Sequence, residues 1–155
     1  MIKLIVATAE DNLIGQNDKM PWNIKSEFDH FRNTTLNHSL LFGRTTFLGL
    51  PAKLPKRVHY VLSPEDVENA DFTIHNEEEL FALFKKFENS SEILFISGGK
   101  SIYERYAKFA QEIILSRVKG KFEGNVYLDT SFLNNFKLVR VDENLDFNVE
   151  YYKRK

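Results

Sequence analysis

The chain has 155 residues, 43% of them hydrophobic and 28% charged, with 21 basic and 22 acidic side chains for a net charge of −1. That balance provides no basic face for nucleic acid. The absence of Cys excludes disulfides, thiolate catalysis and Cys-ligated metals, and no apolar run reaches the ~18 residues of a membrane span.

The length suits one domain over residues 1–155. The opening MIKLIVATAED is too short and too acidic for a signal peptide, so the default expectation is a cytoplasmic protein. Nothing in the chain demands an interface, and a monomer is expected.

In chain order, the β-branched run at residues 2–8 predicts a strand. Residues 9–24 carry turn residues without a period and are expected to form a long loop, a feature that is usually functional in a compact domain. Residues 25–35 predict a helix, with Phe28 and Phe31 three apart. A strand at Ser39–Gly43 is followed by one or two helical turns over Arg44–Leu50, ending at Pro51. Further strands are predicted at Val58–Leu62 and Phe72–Ile74.

Leu80, Leu83, Phe84 and Phe87 lie at helical spacing over Glu77–Phe87, behind three acids that suit a helix N-terminus. Ile93–Ile96 predicts a strand, Ser101–Ala110 a helix and Ile113–Val118 a strand; from about Phe136 the alternation predicts an antiparallel hairpin. The class is α/β: a central, mostly parallel twisted sheet with a C-terminal antiparallel strand and about four flanking helices. In such sheets ligands sit beyond the C-terminal strand ends, here Ala7, Gly43-Arg44, Ser63 and Gly98-Gly99.

Gly98-Gly99-Lys100-Ser101 reads either as a phosphate-contacting turn or as a structural strand-to-helix turn. It is not a P-loop, which needs Gly at position 94, where Leu stands. Gly43-Arg44-Thr45-Thr46 repeats the chemistry at a second strand end, with an Arg fork and hydroxyl donors. Together with Ser63 the two turns suggest one extended polyphosphate ligand; a surface ion pair is the plainer fate of Arg44.

Glu27 shares a helix face with Phe28 and Phe31, where its charged form is poorly solvated and its pKa is pushed upward, as suits a general acid. The competing reading is a solvated Glu on the outer face. His30, His38, His59 and His75 show no metal-ligand spacing and are expected to be structural or surface residues.

Taken together, the LIVA strand with Ala7, Ile14-Gly15, Met20-Pro21-Trp22-Asn23, Glu27 with Phe31, Gly43 to Phe47, Leu54-Pro55 with Arg57, Leu62-Ser63, Gly98-Gly99 with Ile102-Tyr103, and Glu123-Gly124 resemble dihydrofolate reductase over nearly the whole chain. The resemblance implies hydride transfer from NADPH to 7,8-dihydrofolate, a role in one-carbon metabolism and sensitivity to antifolates. Related reductases acting on another pterin or a ribosyl-pyrimidine are the alternative in detail.

On this resemblance the catalytic set would be Glu27 at the pterin amidine edge, Trp22 holding a water, Met20 in a lid formed by residues 9–24, and Ser116 bracing the pterin contact. Ile5, Val6, Ala7, Ser97 and Tyr103 would line the pterin side. Phe28, Phe31, Leu50 and Leu54 would sandwich the rings, and Arg57 with Arg32 would meet the glutamate carboxylate. Ala7, Ile14 and Gly15 would meet the nicotinamide. Thr45, Thr46, Gly99, Lys100, Ser101 and Ile102 would hold the pyrophosphate region, Arg44, Ser63 and Lys100 would surround the adenosine 2′-phosphate, and Gly43, Leu62, Pro64, Gly98 and Tyr103 would complete the cofactor site.

A cis bond would join Gly98 to Gly99. Departures from common family patterns are Glu27, where many bacterial members carry Asp, and Phe28, Ala52, Ser97, Lys100 and Pro64-Glu65, where Glu65 would oppose a 2′-phosphate.

Overall fold

The computed structural model describes residues 1–16 and 20–155. Its strands are β1 (Ile2–Thr8), β2 (Leu13–Gly15), β3 (Ser39–Gly43), β4 (Val58–Leu62), β5 (Phe72–Ile74), β6 (Leu94–Ile96), β7 (Glu112–Val118), β8 (Val126–Tyr127), β9 (Phe136–Glu143) and β10 (Phe147–Arg154). The helices are α1 (Lys25–Thr35), α2 (Arg44–Leu48), α3 (Glu77–Glu88) and α4 (Lys100–Tyr106). Eight strands form one sheet in the order β5-β4-β3-β6-β1-β7-β10-β9. All its pairs are parallel except β7–β10 and β10–β9.

The apolar runs become central strands because both sheet faces are covered. Along β1, Ile2, Leu4 and Val6 enter the cluster beneath α3 and α4, while Ile5 enters the opposite cluster with Trp22, Phe42 and Phe47. Leu80, Leu83, Phe84 and Phe87 of α3 are buried, each contributing about 1.5–3 kcal/mol relative to exposure. The Asn76 side chain caps α3 by accepting the Glu79 N–H at 2.9 Å, so one otherwise unpaired N–H of the first turn is satisfied.

Two expectations need adjustment. The stretch over 9–24 is not wholly loop: Glu10–Asn12 forms a 3-10 turn, and β2 pairs with β8 in a separate two-stranded ladder; residues 17–19 of that stretch lie outside the described residues. The helix expected over Ser101–Ala110 starts at Lys100, leaves α geometry at Tyr106 and continues as a 3-10 turn over Ala107–Phe109. The antiparallel hairpin expected from about Phe136 is present as β9–β10, with β10 paired to β7.

Candidate active site

A cleft of about 1310 Å³ opens along the C-terminal ends of β1, β3, β4 and β6. It lies where the strand order reverses around β1, the place ligands favour in open α/β sheets. Single small-molecule sites typically span ~300–1,000 Å³, so this cleft has room for two ligands side by side.

One half is apolar with a single acid. Ile5, Val6 and Ala7 of β1 form its floor, Phe28, Phe31 and Arg32 of α1 one wall, and Leu50, Pro51, Ala52 and Leu54 the other. Glu27, in the first turn of α1, points inward and is 5% exposed. Burial pushes its carboxyl above the usual carboxylate range, and the neighbouring Trp22 indole partly opposes this. The Trp22 Nε1–H is buried and makes no hydrogen bond within the described protein atoms. A donor dipole beside a poorly solvated carboxyl is an arrangement suited to moving a proton. Behind it, the Tyr103 hydroxyl donates to the Ile5 carbonyl at 2.8 Å, and burial next to Glu27 drives its phenol pKa upward.

The other half is polar and rich in donors. α2 begins directly after Gly43 and α4 directly after Gly99, so the first-turn N–H groups of both helices start at the cleft. Arg44, Thr45, Thr46, Ser63, Lys100 and Ser101 add cations and hydroxyls. The two turns are locked together: Gly43 N–H donates to the Gly98 carbonyl at 2.8 Å. Gly98 and Gly99 are joined by a cis peptide, as expected, and Gly98 has φ +123°. A Cβ on Gly99 would sit 2.7 Å from Thr46 Oγ1, so glycine is what lets the two turns close up.

Of the residues singled out in the sequence, the lining includes Ile5, Val6, Ala7, Ile14, Gly15, Met20, Trp22, Glu27, Phe28, Phe31, Arg32, Leu50, Leu54 and Ser97, and the whole cofactor set from Gly43 to Tyr103. Two are placed elsewhere. Arg57 is outside the lining; its guanidinium donates to Thr35 Oγ1 at 3.2 Å, to the Pro55 carbonyl at 2.6 Å and to the Arg32 carbonyl. Ser116 is buried on β7, paired in register with Ala7, and likewise does not line the cleft.

Glu65 is not in the lining either, and its N–H donates to Ser63 Oγ at 3.3 Å. His75, expected to be a structural or surface residue, lines the polar end beside Asn76 and Glu77 and bridges Asp66 at 2.6 Å and Glu79 at 3.2 Å. Its place follows from the short link between β5 and α3, which no residue pattern signals.

Residues 1–154 match the family model described as dihydrofolate reductase. A dihydrofolate reductase of Mycoplasma genitalium is 37% identical over 161 residues, spanning 100% of this chain and 99% of its own. One of Ureaplasma parvum is 34% identical over 161 residues, spanning 100% and 98%. The fold matches that of dihydrofolate reductase from Enterococcus faecalis complexed with NADP(H) and RAB-propyl, at a TM-score of 0.88 and 22% identity, over 99% of this chain and 96% of that one.

Proposed function

The chain belongs to the dihydrofolate reductase family, and from that premise we propose that residues 1–155 act as one reductase domain whose cleft sets substrate beside cofactor. The protein reduces 7,8-dihydrofolate to 5,6,7,8-tetrahydrofolate with NADPH. The observation that carries the site assignment is the buried Glu27 facing the apolar half of a cleft whose other half is lined with phosphate-type donors.

The residues present fit NADPH. Closely packed glycine turns leave backbone N–H groups at the cleft, and Arg44, Lys100, Ser63, Ser101, Thr45 and Thr46 supply the donors that phosphates need. When bound, NADPH supplies the hydride. Arg44, Ser63 and Lys100 hold the 2′-phosphate end; Thr45, Thr46, Gly99 and Ser101 the pyrophosphate; Ala7, Ile14 and Gly15 the nicotinamide end.

Glu27 accepts N–H bonds from the pterin amidine edge and favours protonation at N5. Its raised pKa keeps the proton available closer to neutral pH than an exposed carboxylate would. Trp22 Nε1–H, beside that carboxyl, is the donor for a water on that side. Phe28, Phe31, Leu50 and Leu54 clamp the rings and exclude bulk water, while Met20 covers the mouth.

Arg57 retains guanidinium N–H groups beyond the three bonds that orient it, and these with Arg32 meet the glutamate carboxylate. Ser116 acts from the neighbouring strand, in register with Ala7, rather than from the cleft lining. Among the described residues no helix is long and apolar enough to cross a membrane. The reading is of a cytoplasmic monomer that antifolates inhibit at the apolar half.

Loss of NADPH absorbance on adding dihydrofolate, repeated with NADH, tests the assignment. Turnover of dihydrofolate with preference for NADPH is expected; oxidation of NADPH by other pterins but not by dihydrofolate would refute it.

A further inference from the structure

His59 on β4 is 0% exposed and is absent from the mechanism above. Its ring is stacked on Phe42 (centroids 6.2 Å, 18°) and met edge-on by Phe47 (5.8 Å, 64°). Two polar contacts remain. Nε2 receives the Leu54 N–H at 3.4 Å, long for a hydrogen bond. Nδ1 lies 3.4 Å from Asp71 Oδ2, outside hydrogen-bond geometry. Asp71 is itself held by the His59 backbone N–H at 2.7 Å and by Lys53 Nζ at 2.7 Å.

These contacts fix the ring chemically. A backbone N–H can face Nε2 only if that nitrogen carries its lone pair, so the neutral ring bears its proton on Nδ1, toward the carboxylate. Leu54 belongs to the stretch between α2 and β4, which has no regular structure and supplies Leu50, Pro51, Ala52 and Leu54 to the cleft. Arg57 and Lys53 pin the far end and the outside of that stretch. His59 meets it from inside, at the residue whose side chain enters the cleft.

We propose that His59 is a positioning residue for the substrate half of the cleft: its neutral imidazole holds the Leu54 backbone, and so sets the wall against which the benzoyl group of dihydrofolate packs. The proposal rests on the placement of the substrate against Leu50 and Leu54. A protonated ring would present an N–H to the Leu54 N–H, two donors facing each other, and the wall would detach. The groups facing the ring are the Asp71 carboxylate, the Lys53 ammonium and the Arg57 backbone; Phe42 and Phe47 bring no charge. Burial holds the imidazole below its usual range, with Asp71 opposing. The wall is therefore intact at neutral pH and loosens as pH falls below the ordinary histidine range.

Steady-state kinetics of His59→Phe, His59→Gln and Leu54→Gly, with dihydrofolate and NADPH varied separately, test this. His59→Phe keeps the ring stack but removes the acceptor. It should raise the dihydrofolate KM about three- to tenfold, the scale of the net contribution of one hydrogen bond, with kcat and the NADPH KM essentially unchanged.

Gln places an amide oxygen at the reach of Nε2 and does not titrate. It should restore the KM and abolish the acid-side rise in KM that the native protein shows. A dihydrofolate KM unaffected in His59→Phe but raised in Leu54→Gly would overturn the role of His59 alone, as would a Gln variant as impaired as Phe. No change in Leu54→Gly would overturn the placement of the benzoyl group, and the proposal with it.

Discussion

Replacing Glu27 by Gln should move activity and stability in opposite directions. The carboxyl is 5% exposed, and burial raises its pKa. The folded chain therefore holds this proton more tightly than the unfolded chain does. Its stability contribution is fully present below the unfolded carboxylate range, falls as pH rises through the raised folded value, and stays reduced at neutral pH.

Gln has nothing to titrate, so the variant escapes that loss. Relief of one poorly compensated buried polar group amounts to about 1–3 kcal/mol. In a chain of this size each kcal/mol moves Tm by about 2–4 °C, so the variant should melt about 2–12 °C higher at neutral pH. The same scan below the ordinary carboxylate range should find the difference nearly gone.

Activity should fall by about 10²–10⁴, the usual worth of a positioned acid. The native rate should decline as pH rises through the raised Glu27 range, and the residual rate of the variant should not follow that decline. Calorimetry and NADPH oxidation measure the two halves. Full activity of Glu27→Gln at neutral pH, or equal destabilisation at both pH values, would refute the reasoning.

Two further substitutions probe the remainder of the cleft. Gly124→Ala would place a Cβ 2.5 Å from the Gly15 carbonyl oxygen and 2.7 Å from Leu13 Cδ1. Backbone must then shift at about 1–3 kcal/mol, which thermal unfolding should register as a lowered Tm; because Gly15 lines the cleft, the NADPH KM should rise too, and an unchanged Tm and KM would dismiss the clash. If Arg44 holds the 2′-phosphate as proposed, Arg44→Ala removes a charge-assisted contact worth about 1.5–3 kcal/mol, so the KM for NADPH should rise about 10–100-fold and that for NADH far less; an equal rise for both would move Arg44 away from the 2′-phosphate.

What could be read from the residues follows from what each element needs. β1, β3, β4, β6 and β7 are covered on both faces, so they stand out as short apolar runs bounded by turns. β2 and β8, at three and two residues, are too short for any period, and only the ladder between them defines them.

Glu27 was legible because two Phe at its own helix spacing announced an apolar face. Arg57 was half legible: the resemblance implied an anion partner, but carbonyls contributed by Pro55 and Arg32 claim two of its donors, and backbone carbonyls leave no mark in a side-chain pattern. His59 and His75 looked alike as isolated imidazoles. One is sealed between two rings and the other bridges two carboxylates at the cleft, a distinction that only chain folding creates.

β1 supplies the cleft floor, yet its ladder partners are β6 and β7, from the later part of the chain. The cleft floor is therefore complete only when β1 is paired with strands from the later part of the chain. A ligand that binds this cleft and not the unfolded chain stabilises the fold by mass action, growing with the logarithm of its concentration once that exceeds Kd. Loss of bound cofactor would then lower resistance to proteolysis as well as turnover, since only the folded chain binds it.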